Sequence, residues 1–204
     1  MLNLMLVTQK KILPIDKYLQ FIESCITAGV TSVQLREKTL NTQQLLIFGG
    51  ALLECLKPYD IPLIINDQVE VAKKLNAHGV HLGQTDGDPR LARSYLGADK
   101  IIGLSVSSMD ELHTAQNLPI DYVGIGPVFP TSSKTDNPQH CGLDGLGRMV
   151  AASSFPSIAI GGIQKDNAAE VLGTGVDGVA VIGTLHTAKN IKATCQSLLN
   201  INLS

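Results

Sequence analysis

Apolar and polar positions alternate on two length scales along this chain of 204 residues. On the longer scale, short apolar runs recur at regular intervals: Leu4–Val7, Ser32–Leu35, Leu63–Ile65, Gly79–Leu82, Lys100–Leu104, Tyr122–Ile125, Ser157–Ile160 and Gly178–Ile182. They are continuous and rich in Val, Ile and Leu, as expected for strands covered by helices. On the shorter scale, the segments between them show helical spacing. Ile15–Thr27 carries Ile15, Leu19, Ile22 and Ile26; Thr42–Leu56 carries Leu45, Leu46, Phe48, Leu52, Leu53 and Leu56. Val69–Leu75 and Met109–Gln116 continue the pattern. Start signals stand at Asn41-Thr42, Ser107-Ser108 and Asp166-Asn167, and Gly29, Gly79 and Gly175 stand where a left-handed residue would close a helix. Eight alternating strand–helix units in one chain predict an α/β fold, a closed (β/α)8 barrel forming a single domain over 1–204. The competing open doubly wound sheet calls for a Gly-rich turn after the first strand. Thr8-Gln9-Lys10-Lys11 stands there instead.

Composition narrows the function classes. Hydrophobic residues make up 44%, charged residues 17% and aromatics 4%, with no Trp, so the core is aliphatic. The formal net charge is −2, with no block of like charge, which excludes a nucleic-acid face and a polybasic membrane patch. The N-terminal apolar stretch lacks a basic leader and a small-residue cleavage site, so it reads as a first strand. Cys25, Cys55, Cys141 and Cys195 are isolated thiols without metal-like spacing, the pattern of a reducing cytoplasmic compartment. The expected partners are therefore small molecules. The sequence leaves a homo-oligomer open.

In a barrel, the chemistry sits where strands end. The second run ends in QLREK, placing Gln34, Arg36 and Lys38 at alternate positions; extended backbone would turn all three to one face. Two cations and an amide on an inward face suit a polyanion, whereas an exposed basic strand end paired to Glu37 is the plainer alternative. The third run ends in Asn66-Asp67, and Gln84 and Asp86 follow the fourth. Two carboxylates from adjacent strand ends suit a hard cation such as Mg2+, completed by phosphate oxygens and water. Capping of the following helix is the alternative, stronger for Asp67 than for Asp86, because Asp88-Pro89 already supplies a cap. The fifth run delivers Ser105. The sixth leads into PVFPTSSK, where Thr131, Ser132, Ser133 and Lys134 offer hydroxyls and one charge. Gly161-Gly162 and Ile182-Gly183 follow the last two runs, the usual place for a phosphate in such barrels, although tight turning alone would also call for glycine. There is no Ser–His–Asp or Cys–His signature. His81 reads as a hydrogen-bonded barrel histidine, and His78, His113, His140 and His186 as surface or loop residues. Many anion holders and no nucleophile point to departure of a phosphorylated group, with cations stabilising the charge it carries.

The segments QLREK, IINDQVEVA, GVHLGQTD, IIGLSVS, DYVGIGPVFPTSSKTD and AIGGI, in this order, resemble the thiamine-phosphate synthase family over nearly the whole chain. The resemblance implies a TIM barrel that joins a hydroxymethylpyrimidine diphosphate to a thiazole phosphate, releasing pyrophosphate in a dissociative, Mg2+-assisted step. It implies that Gln34, Arg36, Lys38, Asn66, Ser105 and Lys134 hold the pyrimidine diphosphate, with Leu35 and Glu37 in the same binding segment. Arg36, Lys38, Ser105 and Lys134 would be catalytic. It further implies that Asp67 and Asp86 bind magnesium, and that Thr131, Ser132, Ser133, Gly162, Ile182 and Gly183 hold the thiazole phosphate. Two departures stand out: Gly183 where the family usually has Ser, and Ser133 where Thr is common. The related thiazole tautomerases, which carry a histidine in the strand-six loop, where Pro127 stands in this chain, and lack the full metal pair, are the alternative enzyme. A non-catalytic phosphate-binding barrel is the alternative outside enzymes.

Overall fold

The outer faces of the strands are aliphatic and their inner faces mixed. The structure, a computed structural model, describes residues 1–10, 13–131 and 139–199. Strands β1 (Leu4–Val7), β2 (Ser32–Leu35), β3 (Leu63–Asn66), β4 (Gly79–Leu82), β5 (Ile101–Val106), β6 (Tyr122–Ile125), β7 (Ser157–Ile160) and β8 (Gly178–Val181) are all parallel, and β8 pairs with β1. The result is a closed eight-stranded (β/α)8 barrel, a TIM barrel, and the open-sheet alternative falls away. Helices α1 (Ile15–Thr27), α2 (Thr42–Leu56), α3 (Val69–Leu75), α4 (Pro89–Leu96), α5 (Met109–Ala115), α6 (Gly142–Ala152) and α7 (Ala168–Gly173) alternate with the strands; a short turn α8 (Gly183–His186) and α9 (Ile191–Leu198) close the chain.

Successive residues on each strand go to different layers, and residues two apart share one. Leu4 and Leu6 of β1, Val33 and Leu35 of β2, and Leu63 and Ile65 of β3 pack outward with Tyr18, Ile22, Phe48 and Leu52 from the helices. Met5, Val7, Ile64, Tyr122, Ile158 and Ala180 meet inside the barrel in a separate, smaller cluster. The register carries this alternation round the sheet, pairing Val7 with Gln34, Gln34 with Ile64, and Asn66 with His81.

Capping follows the sequence signals in most places. Asn41 and Gln44 form a reciprocal capping box on α2, and Ser108 accepts from the Glu111 amide at α5. Asp88 caps α4, with Pro89 as its first residue. Gly29 and Gly175 take positive φ as expected. Gly79 does not: Asn76 is the left-handed residue closing α3, and Gly79 opens β4. Its missing side chain serves close approach, since a Cβ there would lie 2.1 Å from the Ile101 carbonyl oxygen.

Candidate active site

The inward positions nearest the strand ends carry the polar residues. Gln34, Asn66, His81 and Ser105 come from β2, β3, β4 and β5, and all line a cavity of about 270 Å³ that opens at the C-terminal end of the barrel. Its floor is the inner cluster, with Met5, Tyr122, Ile158 and Ala180. Its far wall is mostly backbone: Gly126, Gly161, Gly162, Ile182 and Gly183. Every strand of the barrel therefore contributes to one cavity.

Three of these residues form a polar bridge over the floor. His81 Nδ1 lies 2.8 Å from the Tyr122 hydroxyl, and its Nε2 lies 2.9 Å from Ser105 Oγ. The bridge needs space on the two neighbouring strands. A Cβ on Gly103 would meet the Tyr122 ring at 2.2 Å, and one on Gly124 would meet His81 at 2.9 Å. His81 is thus hydrogen-bonded within the barrel, as its sequence context predicts, but it also faces the cavity. A histidine opposed by inward glycines on the next two strands was the available signal.

The rim above β2 to β4 is charged. Arg36 lines the cavity, with its backbone amide donating to Thr8 Oγ1 at 2.9 Å. Burial lowers the guanidinium pKa, opposed by the charges of Asp67 and Glu37, and the group stays cationic. Asp67 and Asp86 meet across the ends of β3 and β4, side chain to side chain. Burial pushes the Asp67 carboxyl up to about 6, and its hydrogen bond to Asp86 and that neighbour's charge add to the rise, while Asn66 and Arg36 pull the other way. Asp86 is held from below, its Oδ2 accepting from the Gly83 amide at 2.7 Å. Asp67 is not a helix cap. Gln68 occupies that position at α3 without a side-chain bond, while Asp67 takes φ 62° and donates its own amide to the His81 carbonyl. Asp tolerates this left-handed backbone better than most residues. Gln84 is tied to the next strand, donating to the Ser105 carbonyl at 2.6 Å.

Three members of the QLREK segment sit elsewhere. β2 ends at Leu35, so the alternation that would carry Lys38 inward ends too; Lys38 lies exposed on a turn and does not line the cavity. Leu35 faces the helix layer, so only its backbone faces the site. Glu37 accepts from the Lys10 amide at 2.7 Å, bracing the loop after β1. On the opposite side, Thr131, Gly162, Ile182 and Gly183 line the cavity as expected. Ser132, Ser133 and Lys134 lie outside the described residues. His186 is no surface residue: it is partly buried and hydrogen-bonded on both ring nitrogens. The four cysteines are free, and burial raises the Cys25 and Cys195 thiols to about 12 and about 11, which fits core filling.

The family described as thiamine monophosphate synthase (TMP-TENI) matches residues 4–185. The chain belongs to the thiamine-phosphate synthase family. A thiamine-phosphate synthase of Chlamydia abortus is 46% identical over 199 residues, covering 98% of this chain and 94% of that protein. One from Clostridium botulinum is 42% identical over 197 residues, covering 97% and 96%. A solved thiamine phosphate pyrophosphorylase from Pyrococcus furiosus superposes with a TM-score of 0.88 at 36% identity, covering 98% of this chain and 95% of that one. The chain is accordingly an enzyme with thiamine-phosphate synthase activity, a transferase of thiamine biosynthesis. The tautomerase and the non-catalytic barrel are set aside. Among the described residues, no helix is long and apolar enough to cross a membrane.

Proposed function

We propose that this thiamine-phosphate synthase divides its cavity between two phosphorylated substrates. The charged rim takes the pyrimidine diphosphate, and the glycine-lined rim takes the thiazole phosphate. The juxtaposition of Asp67 and Asp86 beside Arg36 carries the reading. Two carboxylates in contact repel when ionised, so the pair calls for a cation between them. Their hard oxygen donors suit magnesium, which commonly takes one or two protein carboxylates with substrate phosphate oxygens and water. Magnesium held there would supply positive charge to the diphosphate.

The rest follows from the side chains. Gln34, Asn66 and Ser105 orient the pyrimidine by hydrogen bonds, with Ser105 fixed by His81. Arg36 pairs with the diphosphate, and Lys38 and Lys134 act as further cations from the two flanking loops, with Leu35 and Glu37 shaping the first of them. In the reaction the bond between the pyrimidine methylene and the diphosphate oxygen breaks, and its electron pair leaves with pyrophosphate. The thiazole nitrogen lone pair then forms the new carbon–nitrogen bond. No enzyme nucleophile is needed in this step. Thr131, Ser132, Ser133 and the amides near Gly162, Ile182 and Gly183 hold the thiazole phosphate.

The test is pyrophosphate release. It should require both substrates and magnesium together. Release from the pyrimidine diphosphate that is indifferent to magnesium would overturn the metal assignment.

A further inference from the structure

The chain after β8 makes one tight turn and ends it on a histidine. In sequence His186 looks like a surface residue. In space its imidazole packs against the rings of Tyr18 and Phe21 on α1, with centroids 5.8 and 4.9 Å away. Its Nδ1 lies 2.6 Å from the Ile182 carbonyl oxygen. Its Nε2 lies 2.7 Å from the Tyr18 hydroxyl and 3.2 Å from the Gln9 amide nitrogen.

These partners choose the tautomer. A carbonyl only accepts, so Nδ1 carries the proton. The Gln9 N–H only donates, and it points at both His186 Nε2 and the Tyr18 oxygen, the latter at 3.0 Å. Nε2 is therefore bare. Tyr18, accepting from Gln9, donates its own hydrogen to Nε2. Burial pushes the Tyr18 phenol well above its ordinary pKa, so it keeps that hydrogen. A neutral ring protonated on Nδ1 satisfies all three neighbours.

The carbonyl it holds belongs to the rim. Ile182 has φ −110° and ψ −82°, outside the helical and strand regions, and it precedes Gly183, which has no atom within 4 Å of where a Cβ would stand. No side chain at Gly183 helps to fix this backbone. The His186 amide reaches the same carbonyl only at 3.4 Å, so the ring provides the short bond.

We propose that His186, locked in the Nδ1–H tautomer by Tyr18, is the positioning residue that holds the strand-eight rim in its phosphate-binding conformation. The proposal rests on the assignment of that rim to the thiazole phosphate. Gln9 extends its reach. Thr8 on one side accepts from the Arg36 amide, and Lys10 on the other donates to Glu37, so one three-residue segment braces both rims.

The experiment compares His186→Phe, His186→Asn and Tyr18→Phe in steady-state kinetics with both substrates. Phe keeps a ring packed against Tyr18 and Phe21 but removes both nitrogens. Asn keeps a donor where Nδ1 stood. His186→Phe should raise the thiazole-phosphate KM about tenfold, as the loss of a well-placed hydrogen bond allows. Its kcat and pyrimidine-diphosphate KM should stay within about twofold of wild type. His186→Asn should recover most of the loss, and Tyr18→Phe should cost about threefold. In 15N-histidine-labelled enzyme, His186 should report a protonated Nδ1 and a bare Nε2. An unchanged thiazole-phosphate KM in a His186→Phe protein of normal Tm overturns the proposal, as does a ring protonated on Nε2. Should His186→Phe fail to fold, the ranking of His186→Asn and Tyr18→Phe decides. Pocket assignment and positioning fail differently. A KM change that moves to the pyrimidine diphosphate supports the positioning role and overturns the assignment of the rim.

Discussion

On the proposed reading, the two sides of the cavity would hold their phosphates by opposite means. Above β2 to β5 the protein offers side chains: Arg36, Asn66, Ser105 and the carboxylate pair Asp67 and Asp86. Above β7 and β8 it offers backbone, at Gly161, Gly162, Ile182 and Gly183. A side-chain rim can be weakened by truncation, one group at a time. A backbone rim cannot be truncated, only displaced. The first should be sensitive to what is removed, the second to what is added. That difference suits the proposed chemistry, because leaving-group charge develops at the diphosphate and asks for full charges, whereas the thiazole phosphate keeps its charge throughout and needs only to be held.

The largest effects belong to the carboxylates. Asp86→Ala or Asp67→Ala should remove most magnesium-dependent turnover while leaving the fold intact. Metal stabilisation of transition-state charge amounts to several kcal/mol, so kcat should fall about a thousandfold or more. Undiminished turnover in Asp86→Ala would place the metal elsewhere.

Arg36→Ala comes next. Loss of one charge-assisted contact that strengthens in the transition state should cost on the order of 2–4 kcal/mol. In kcat/KM that is about two to three orders of magnitude. Lys38→Ala sharpens the comparison: if its exposed turn stays where it is in the free protein, the effect should be the smaller of the two. Equal losses would show that the turn closes over the diphosphate.

On the backbone side, Gly162→Ala tests addition. Gly162 has φ 67°, and a Cβ there would lie 2.6 Å from Phe129 Cβ and 2.7 Å from the Pro130 carbonyl oxygen. Strain of about 1–3 kcal/mol follows. The thiazole-phosphate KM should rise about tenfold, with the pyrimidine-diphosphate KM unchanged. A rise in the pyrimidine KM alone would reverse the assignment of the two rims.

The same division explains what the sequence disclosed. All eight strands were legible because each is a short aliphatic run, and Gln34, Asn66 and Ser105 stood out as polar residues near the ends of those runs. Lys38 was misplaced because the alternation argument assumed that extended backbone continues past Leu35, where the chain in fact turns. Leu35 was drawn into the site by its neighbours, although its own parity sends it outward. Gly79 looked like a helix end, yet the constraint on it comes from Ile101 on the next strand, a tertiary contact that local pattern does not encode. His186 reads as a surface residue for the same reason: its partner Tyr18 lies 168 positions away. Signals that depend on one strand are readable. Those that depend on what faces it need the closed barrel.

The smallest predicted effect is at Gly183, where the chain departs from the serine usual in its family. Unlike Gly162, Gly183 does not need to be glycine for steric reasons. It is not among the positive-φ glycines, and nothing stands within 4 Å of a Cβ built on it. It begins α8, where serine is well tolerated. Gly183→Ser should therefore fold normally and add one hydroxyl donor at the rim. A neutral hydrogen bond contributes about 0.5–1.5 kcal/mol net. The thiazole-phosphate KM should fall by a few-fold, up to about tenfold at the limit, and the pyrimidine-diphosphate KM should stay where it is. Gly183→Ala separates the hydroxyl from the Cβ: it should leave both KM values unchanged, because the added methyl meets open space and offers no donor. If Ala and Ser both impair thiazole binding, the phosphate itself occupies the space above Gly183, and the amides hold it more closely than the free rim suggests. If Ser improves binding and Ala is neutral, the two neighbouring glycine positions differ as their backbones do: one is closed to any side chain and the other only lacks one.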